Sequence, residues 1–244
     1  TDHHIDRRSL LELAGDHDAV LVATGQQLQR ELQLGMNGTD AVEQGIDFLD
    51  HVHQGGVRVD GEDIVVIGGG NTAMDAARSA LRLGAESVRV VYRRTRQEMP
   101  AIREEIDEAI EEGIKIDFLT QPIDLKPTDS SGERRLYRLT CRRMRLGDPD
   151  ESGRRAPVEI PGSDFELACH RLILALGQSP DVSVFPEGTE VREGTQLLGL
   201  LETPLFAIGD LATREGTVAA AIGSGRRSAV HVHNMLSGEH VEIS

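Results

Sequence analysis

Six consecutive residues offer the clearest chemistry in this chain: Gly68, Gly69, Gly70, Asn71, Thr72 and Ala73, in the spacing G-x-G-x-x-A. Gly68 allows a tight turn, Gly70 lets backbone N–H groups approach a pyrophosphate, and Ala73 permits a helix to lie close to a strand. A helix starting here adds the partial positive charge of its N-terminus, so the pattern suits an anion. Further on, Tyr92 is followed by Arg93 and Arg94. A site for NAD commonly has an acid at that place for the ribose hydroxyls, whereas two guanidinium groups attract a 2′-phosphate. The pair reads as selection for NADP(H), each charge-assisted contact contributing about 1.5–3 kcal/mol. A solvated basic turn is the alternative.

These residues require a strand, a turn, a helix and a second strand in that order. Residues 64–67 are a β-branched run of the kind buried on both faces of a parallel sheet. Residues 71–83 carry Ala73, Ala77, Ala80 and Leu81 on one helical face before Gly84, and 88–92 form the next strand. Residues 100–112 predict a second helix, with Ile102, Ile106 and Ile110 at four-residue spacing and Glu98-Met99-Pro100 marking its start. Residues 114–119 predict a third strand, completing the β-α-β-α-β order of a mononucleotide-binding half.

From 134 to 170 the alternation breaks into antiparallel strands joined by Gly, Asp, Pro and Ser turns, a β-meander in place of one crossover helix. Residues 171–176 then return to the parallel sheet. Within the meander, Arg135, Tyr137, Leu139, Cys141, Arg143 and Arg145 fall on one strand face, which reads as an exposed basic ribbon.

Strand-to-glycine exits recur at 19–25, 172–180 and 205–210. The first and last flank the central unit. They divide the chain into 1–55 and 178–244, belonging to one domain, with 56–177 inserted. At the last exit Gly209 and Asp210 precede a helix at 217–235, with Gly223 and Gly225 near its start. There an acid can face a polyhydroxylated chain and a helix N-terminus an anionic ring edge. A plain Gly-Asp turn is the alternative.

The remaining signals are exclusions. With 244 residues the chain is one large domain or two modest ones, and its net charge of −15 argues against nucleic acid or an anionic membrane as partner. Its apolar runs are far shorter than the roughly 20 residues of a membrane span, and residues 1–20 lack a secretory pattern, so a reducing cytoplasm fits. Cys141 and Cys169 are isolated, and the histidine pairs at 3/4, 51/53 and 231/233 lack companion ligands, so no metal is expected. No nucleophile arrangement for a catalytic residue emerges, and neither Tyr92 nor Tyr137 begins the Tyr-x-x-x-Lys of a short-chain dehydrogenase. Association into a homo-oligomer stays open.

The stretch 68–78, GGGNTAMDAAR, with Val91-Tyr92-Arg93-Arg94, Glu98-Met99-Pro100-Ala101 and Ala207-Ile208-Gly209-Asp210, resembles the small (beta) subunit of NADPH-dependent glutamate synthase and its relatives, including the flavin half of dihydropyrimidine dehydrogenase. The resemblance covers almost the whole chain. It implies a Rossmann-like NADP-binding domain inserted in an FAD-binding domain, the two-dinucleotide-binding-domain flavoprotein architecture. It further implies that hydride passes from NADPH to FAD and that electrons leave through iron–sulfur clusters to a partner subunit or domain. Gly68, Gly70 and Ala73, with Asn71 and Thr72 between them, would hold the NADPH pyrophosphate, and Arg93 and Arg94 the 2′-phosphate. Ala23-Thr24-Gly25 and Gly177-Gln178-Ser179-Pro180 would be the crossings between domains. Asp210, after Gly209, would bind the FAD ribityl or pyrophosphate, and the helix start at 223–228, with Gly225, would lie near the flavin ring.

The family's N-terminal FAD fingerprint and its cysteine-rich segment are absent, as is the Pro-rich turn usual after the first crossing, in 26–40. The chain therefore reads as the C-terminal part of a longer polypeptide, with an incomplete FAD site and with iron–sulfur clusters only in a missing segment or a partner. The competing function is a non-catalytic NADP(H)-binding or regulatory module acting through a partner chain.

Overall fold

The computed structural model describes residues 3–32, 34, 41–128, 135–150, 153–187, 189, 191, 196–197, 203–213 and 216–241. The chain divides into two compact units, Gln29–Gly177 and the pair of segments Thr1–Leu28 and Gln178–Ser244.

In the larger unit the elements are β1 (Val42–Gln44), α1 (Gly45–His53), β2 (Asp63–Gly68), α2 (Asn71–Arg82), β3 (Ser87–Val91), α3 (Arg103–Glu111), β4 (Lys115–Asp117), β5 (Thr120–Pro127), β6 (Tyr137–Pro149), β7 (Arg155–Glu159), β8 (Phe165–Cys169) and β9 (Arg171–Ala175). A parallel sheet runs β1-β9-β2-β3-β4. The β-branched run of β2 is buried throughout because both faces are covered. Ile64 and Val66 point to a helical layer with Phe48, Met74 and Ile106, while Val65 and Ile67 point to Leu125, Leu139 and Cys141 of the meander. Each such side chain taken from water contributes about 1.5–3 kcal/mol. On α2 the small residues Ala73, Ala76, Ala77 and Ala80 are fully buried, which lets the helix axis approach the sheet closely.

The meander, β8-β6-β5 with β7 on β6, is antiparallel. It corrects the reading of residues 134–145. Tyr137, Leu139 and Cys141 face inward and are buried, while Arg138 is exposed. Burying three apolar side chains outweighs the arginines that share their parity, and after Arg143 the inward position passes to Met144. Arg142, half-buried, bridges Asp164 at 2.6 and 2.9 Å and Glu159 at 2.6 Å, tying the strands together. Burial pushes the thiols of Cys141 and Cys169 up to about 12.

The domain boundary also needs correction. Residues 29–55, assigned from sequence to the flanking domain, lie in the larger unit. β1 extends the parallel sheet beside β9, and Phe48 of α1 is completely buried in its helical layer. The helix expected over 100–112 starts only at Arg103, because residues 98–102 form a strap described below.

α2 and α3 are joined by Glu112, whose Oε1 accepts from Arg78 at 2.6 and 3.0 Å and from Arg82 at 2.7 Å. The hydrogen bonds from Arg78 pull the Glu112 carboxyl down from its ordinary 4.5 to about 2. A depressed folded-state pKa gives stability that is present above the unfolded value and lost as pH falls through the folded one. Thermal midpoints of the native chain are therefore expected to fall between pH 4.5 and about 2 more steeply than those of Glu112→Gln. Parallel slopes in a pH series of denaturation scans would count against this link.

In the smaller unit, strand Val20–Val22 pairs in parallel with Leu205–Ala207, and Gln196–Leu197 pairs antiparallel to the latter. Its core holds Leu10, Val22, Phe185, Leu205 and Leu211. Among the described residues no helix is long and apolar enough to cross a membrane.

Candidate dinucleotide site

The glycine turn between β2 and α2 contains three glycines with different roles. Gly68, at φ +151°, lies so near β9 that a Cβ would stand 2.2 Å from the Ala175 carbonyl oxygen. At Gly69 a Cβ would fall 2.5 Å from the Tyr92 ring. At Gly70 it would meet nothing nearer than Pro100 Cγ at 3.9 Å, and the backbone, φ −93° and ψ 178°, is one that any residue adopts. The fold thus requires glycine at 68 and 69 but not at 70. Gly70 leaves open the space beside the N-terminus of α2, which no side chain caps.

That space belongs to a cavity of about 380 Å³ whose wall includes Gly68, Gly69, Gly70, Thr72 and Gly177. Ala73 is fully buried beneath it. Asn71 serves the fold instead, its Oδ1 accepting from the Ile102 N–H at 3.0 Å. With Ala101 N–H donating to Gly69 O at 3.1 Å and Tyr92 OH to Glu98 O at 2.7 Å, this bond straps residues 98–102 over the turn. Gly177, at φ +83°, accepts from Arg30 N–H at 3.2 Å.

The expected arginine pair divides. The backbone that carries it is held firmly, Tyr92 N–H donating to Asp117 O, Thr120 N–H to Tyr92 O and Leu119 N–H to Arg94 O, each at 3.0 Å. Arg93 is exposed on the cavity wall, and its guanidinium makes no hydrogen bond or ion pair among the described residues. Partial burial against the cavity wall, then the charge of Arg94, lowers its pKa, and Arg154 acts in the same direction. An arginine stays charged regardless, so an anion here relieves the repulsion. Arg94 is only 3 % exposed, ion-paired with Asp150 and donating from Nε to Arg155 O at 2.8 Å. It reaches the cavity wall, but its charge is balanced within the protein. Arg30 and Arg154 also line the cavity, and neither carries a motif that a reading of the sequence could find. Arg96 pairs with Asp107 away from it.

Residues 12–225 match the model of the pyridine nucleotide-disulphide oxidoreductase family. The chain belongs to that family. It is 38 % identical to the NADP(+)-dependent formate dehydrogenase subunit beta of Moorella thermoacetica, over 92 % of this chain and 32 % of that protein. It is 34 % identical to the glutamate synthase [NADPH] small chain of Azospirillum brasilense, over 92 % of this chain and 50 % of the relative. It thus spans about a third to a half of these relatives. The fold matches that of Mycobacterium tuberculosis FprA in complex with NADPH, with a TM-score of 0.71 at 18 % identity over 96 % of this chain and 68 % of FprA. The architecture is that of a two-dinucleotide-binding-domain flavoprotein.

In this member of the family the smaller unit holds the other predicted residues. Gly209, at φ +62°, donates its N–H to Ser224 Oγ at 3.0 Å. Asp210 opens the short helix Asp210–Thr213, and its buried Oδ1 has no hydrogen-bond partner among the described residues. An orphaned acceptor is costly to bury, about 1–3 kcal/mol, and suits a hydroxyl donor. Gly225 does not stand at a helix start. The helix is Val218–Ser237, capped by Thr217 Oγ1 accepting from Ala220 N–H at 3.2 Å, so Gly223 and Gly225 lie in its interior. Only the first-turn N–H groups of a helix are free for a ligand, which removes both glycines from that role.

Proposed function

We propose that the larger unit binds NADPH, with the pyrophosphate at Gly70 and the N-terminus of α2 and the 2′-phosphate at Arg93, and that the intact protein is an NADPH-dependent flavin oxidoreductase passing electrons to a partner. The observation that supports it best is the open space at Gly70, kept by a glycine that the fold does not need, beside an uncapped helix N-terminus. When bound, NADPH supplies the hydride and FAD accepts it. The chain's own residues position: Gly70 admits the phosphates, Arg93 selects the coenzyme, and Asp210 offers an acceptor to a flavin hydroxyl. Such transfer depends on proximity and orientation, so a side-chain acid or base is not required.

The relatives are named as parts of different enzymes, an NADP(+)-dependent formate dehydrogenase in one case and an NADPH glutamate synthase in the other. A glutamate synthase small-chain-like role, with iron–sulfur clusters outside this chain, is one member of that set. Calorimetric titration with NADP+ and NAD+ tests the nucleotide end. Arg93→Gln is expected to reduce the preference for NADP+ about 10- to 100-fold, the value of one charge-assisted contact. An unchanged ratio refutes the assignment. For the electron end, NADPH should bleach the flavin of the full-length protein. A full-length protein that binds NADP(H) but never reduces flavin or dye would instead be a regulatory module.

A further inference from the structure

Two segments far apart in the chain carry arginines into the same cavity. Arg93 follows β3, and Arg154 directly precedes β7 in the meander. Arg94 links the two places: it pairs with Asp150 and bonds Arg155 O at 2.8 Å, so one buried guanidinium grips the chain on both sides of Arg154. Asp150 N–H donates to Arg154 O, and Gly153 N–H to Asp150 O, both at 2.8 Å, which fixes the backbone that presents the side chain. The charge of Arg154 is felt at Arg93.

We propose that Arg154 is a second specificity residue for the 2′-phosphate of the coenzyme, acting with Arg93, and that Arg94 and Asp150 are positioning residues that hold Arg154 at the cavity. This rests on the NADP(H) reading and deepens it. The two motif arginines then do different work, one meeting the ligand and the other aiming a partner from the meander. A guanidinium meets phosphate oxygens through a rigid bidentate fork, so arginines carried by two separate segments can each present one to the same group.

The test is calorimetry of the chain with 2′,5′-ADP and 5′-AMP, which differ by the 2′-phosphate alone. Arg154→Gln is expected to weaken 2′,5′-ADP about tenfold and leave 5′-AMP unchanged, as one lost charge-assisted contact would. Arg96→Gln, removing the same charge outside the cavity, is expected to change neither. Asp150→Asn separates positioning from simple electrostatics. Deleting that negative charge would by itself strengthen anion binding, whereas release of Arg154 weakens 2′,5′-ADP, and the loss should vanish in the Arg154→Gln background. If Arg93→Gln alone removes the preference while Arg154→Gln keeps it, the second contact is refuted. If Asp150→Asn strengthens 2′,5′-ADP or its effect adds to that of Arg154→Gln, the positioning role is refuted. Should the native chain hold 5′-AMP as tightly as 2′,5′-ADP, the NADP(H) reading falls and this one with it.

Discussion

Gly70→Ala is expected to weaken NADP+ on the order of 100-fold, about 2.8 kcal/mol, while leaving the fold intact. The backbone at Gly70 already has an extended conformation open to alanine, and the added methyl would touch only Pro100 Cγ, at 3.9 Å. Alanine caps a helix less well than glycine but also restricts the unfolded chain, and these opposing effects leave stability within about 1 kcal/mol. On the proposed assignment the methyl would stand where the pyrophosphate approaches the first-turn N–H groups, so the loss falls on binding. Calorimetry beside a thermal scan reads both quantities. Unaltered affinity would mean that the phosphates lie elsewhere, and a collapsed melting temperature would mean that the fold does need this glycine.

The second large effect has the opposite character. Gly68→Ala is expected to destabilise the larger unit by about 3–5 kcal/mol, because strain at a positive φ adds to a core clash. Its Cβ would stand 2.2 Å from the carbonyl oxygen of Ala175, the register partner of Gly68 across β2 and β9. A flexible side chain could swing aside, but this neighbour is backbone in a strand paired on both edges. For a unit of this size the melting temperature should drop by roughly 6–20 °C. A variant melting within about 2 °C of the native chain would show that the two strands can part at little cost.

The motif assigns the two glycines different roles, but the size of each effect is set by neighbours outside it, the Ala175 carbonyl beside Gly68 and open space beside Gly70. Residues 63–117 were largely legible, because a short apolar run, an alanine-faced helix and glycine stops are local signals. The glycine turn that lines the cavity followed from the same stretch. Nearly every reassignment came from contacts distant in sequence. Arg93 and Arg94 are identical in type and adjacent. They separate only because Asp150 and the carbonyl of Arg155 lie within reach of one and not of the other.

The inward face of β6 and the place of residues 29–55 were likewise set by partners elsewhere: the parallel sheet that Leu139 covers, and the edge of β9 that β1 completes. Gly225 was misplaced because a helix's first turn depends on where its cap forms, at Thr217, and not on where its glycines fall. Sequence alone determined where the glycine turn lies and which strand and helix flank it, since backbone conformation there depends on near neighbours. Tertiary structure decided which residues of the turn the fold requires and which side chains from distant segments reach the cavity wall, since both depend on neighbours that only the folded chain brings together.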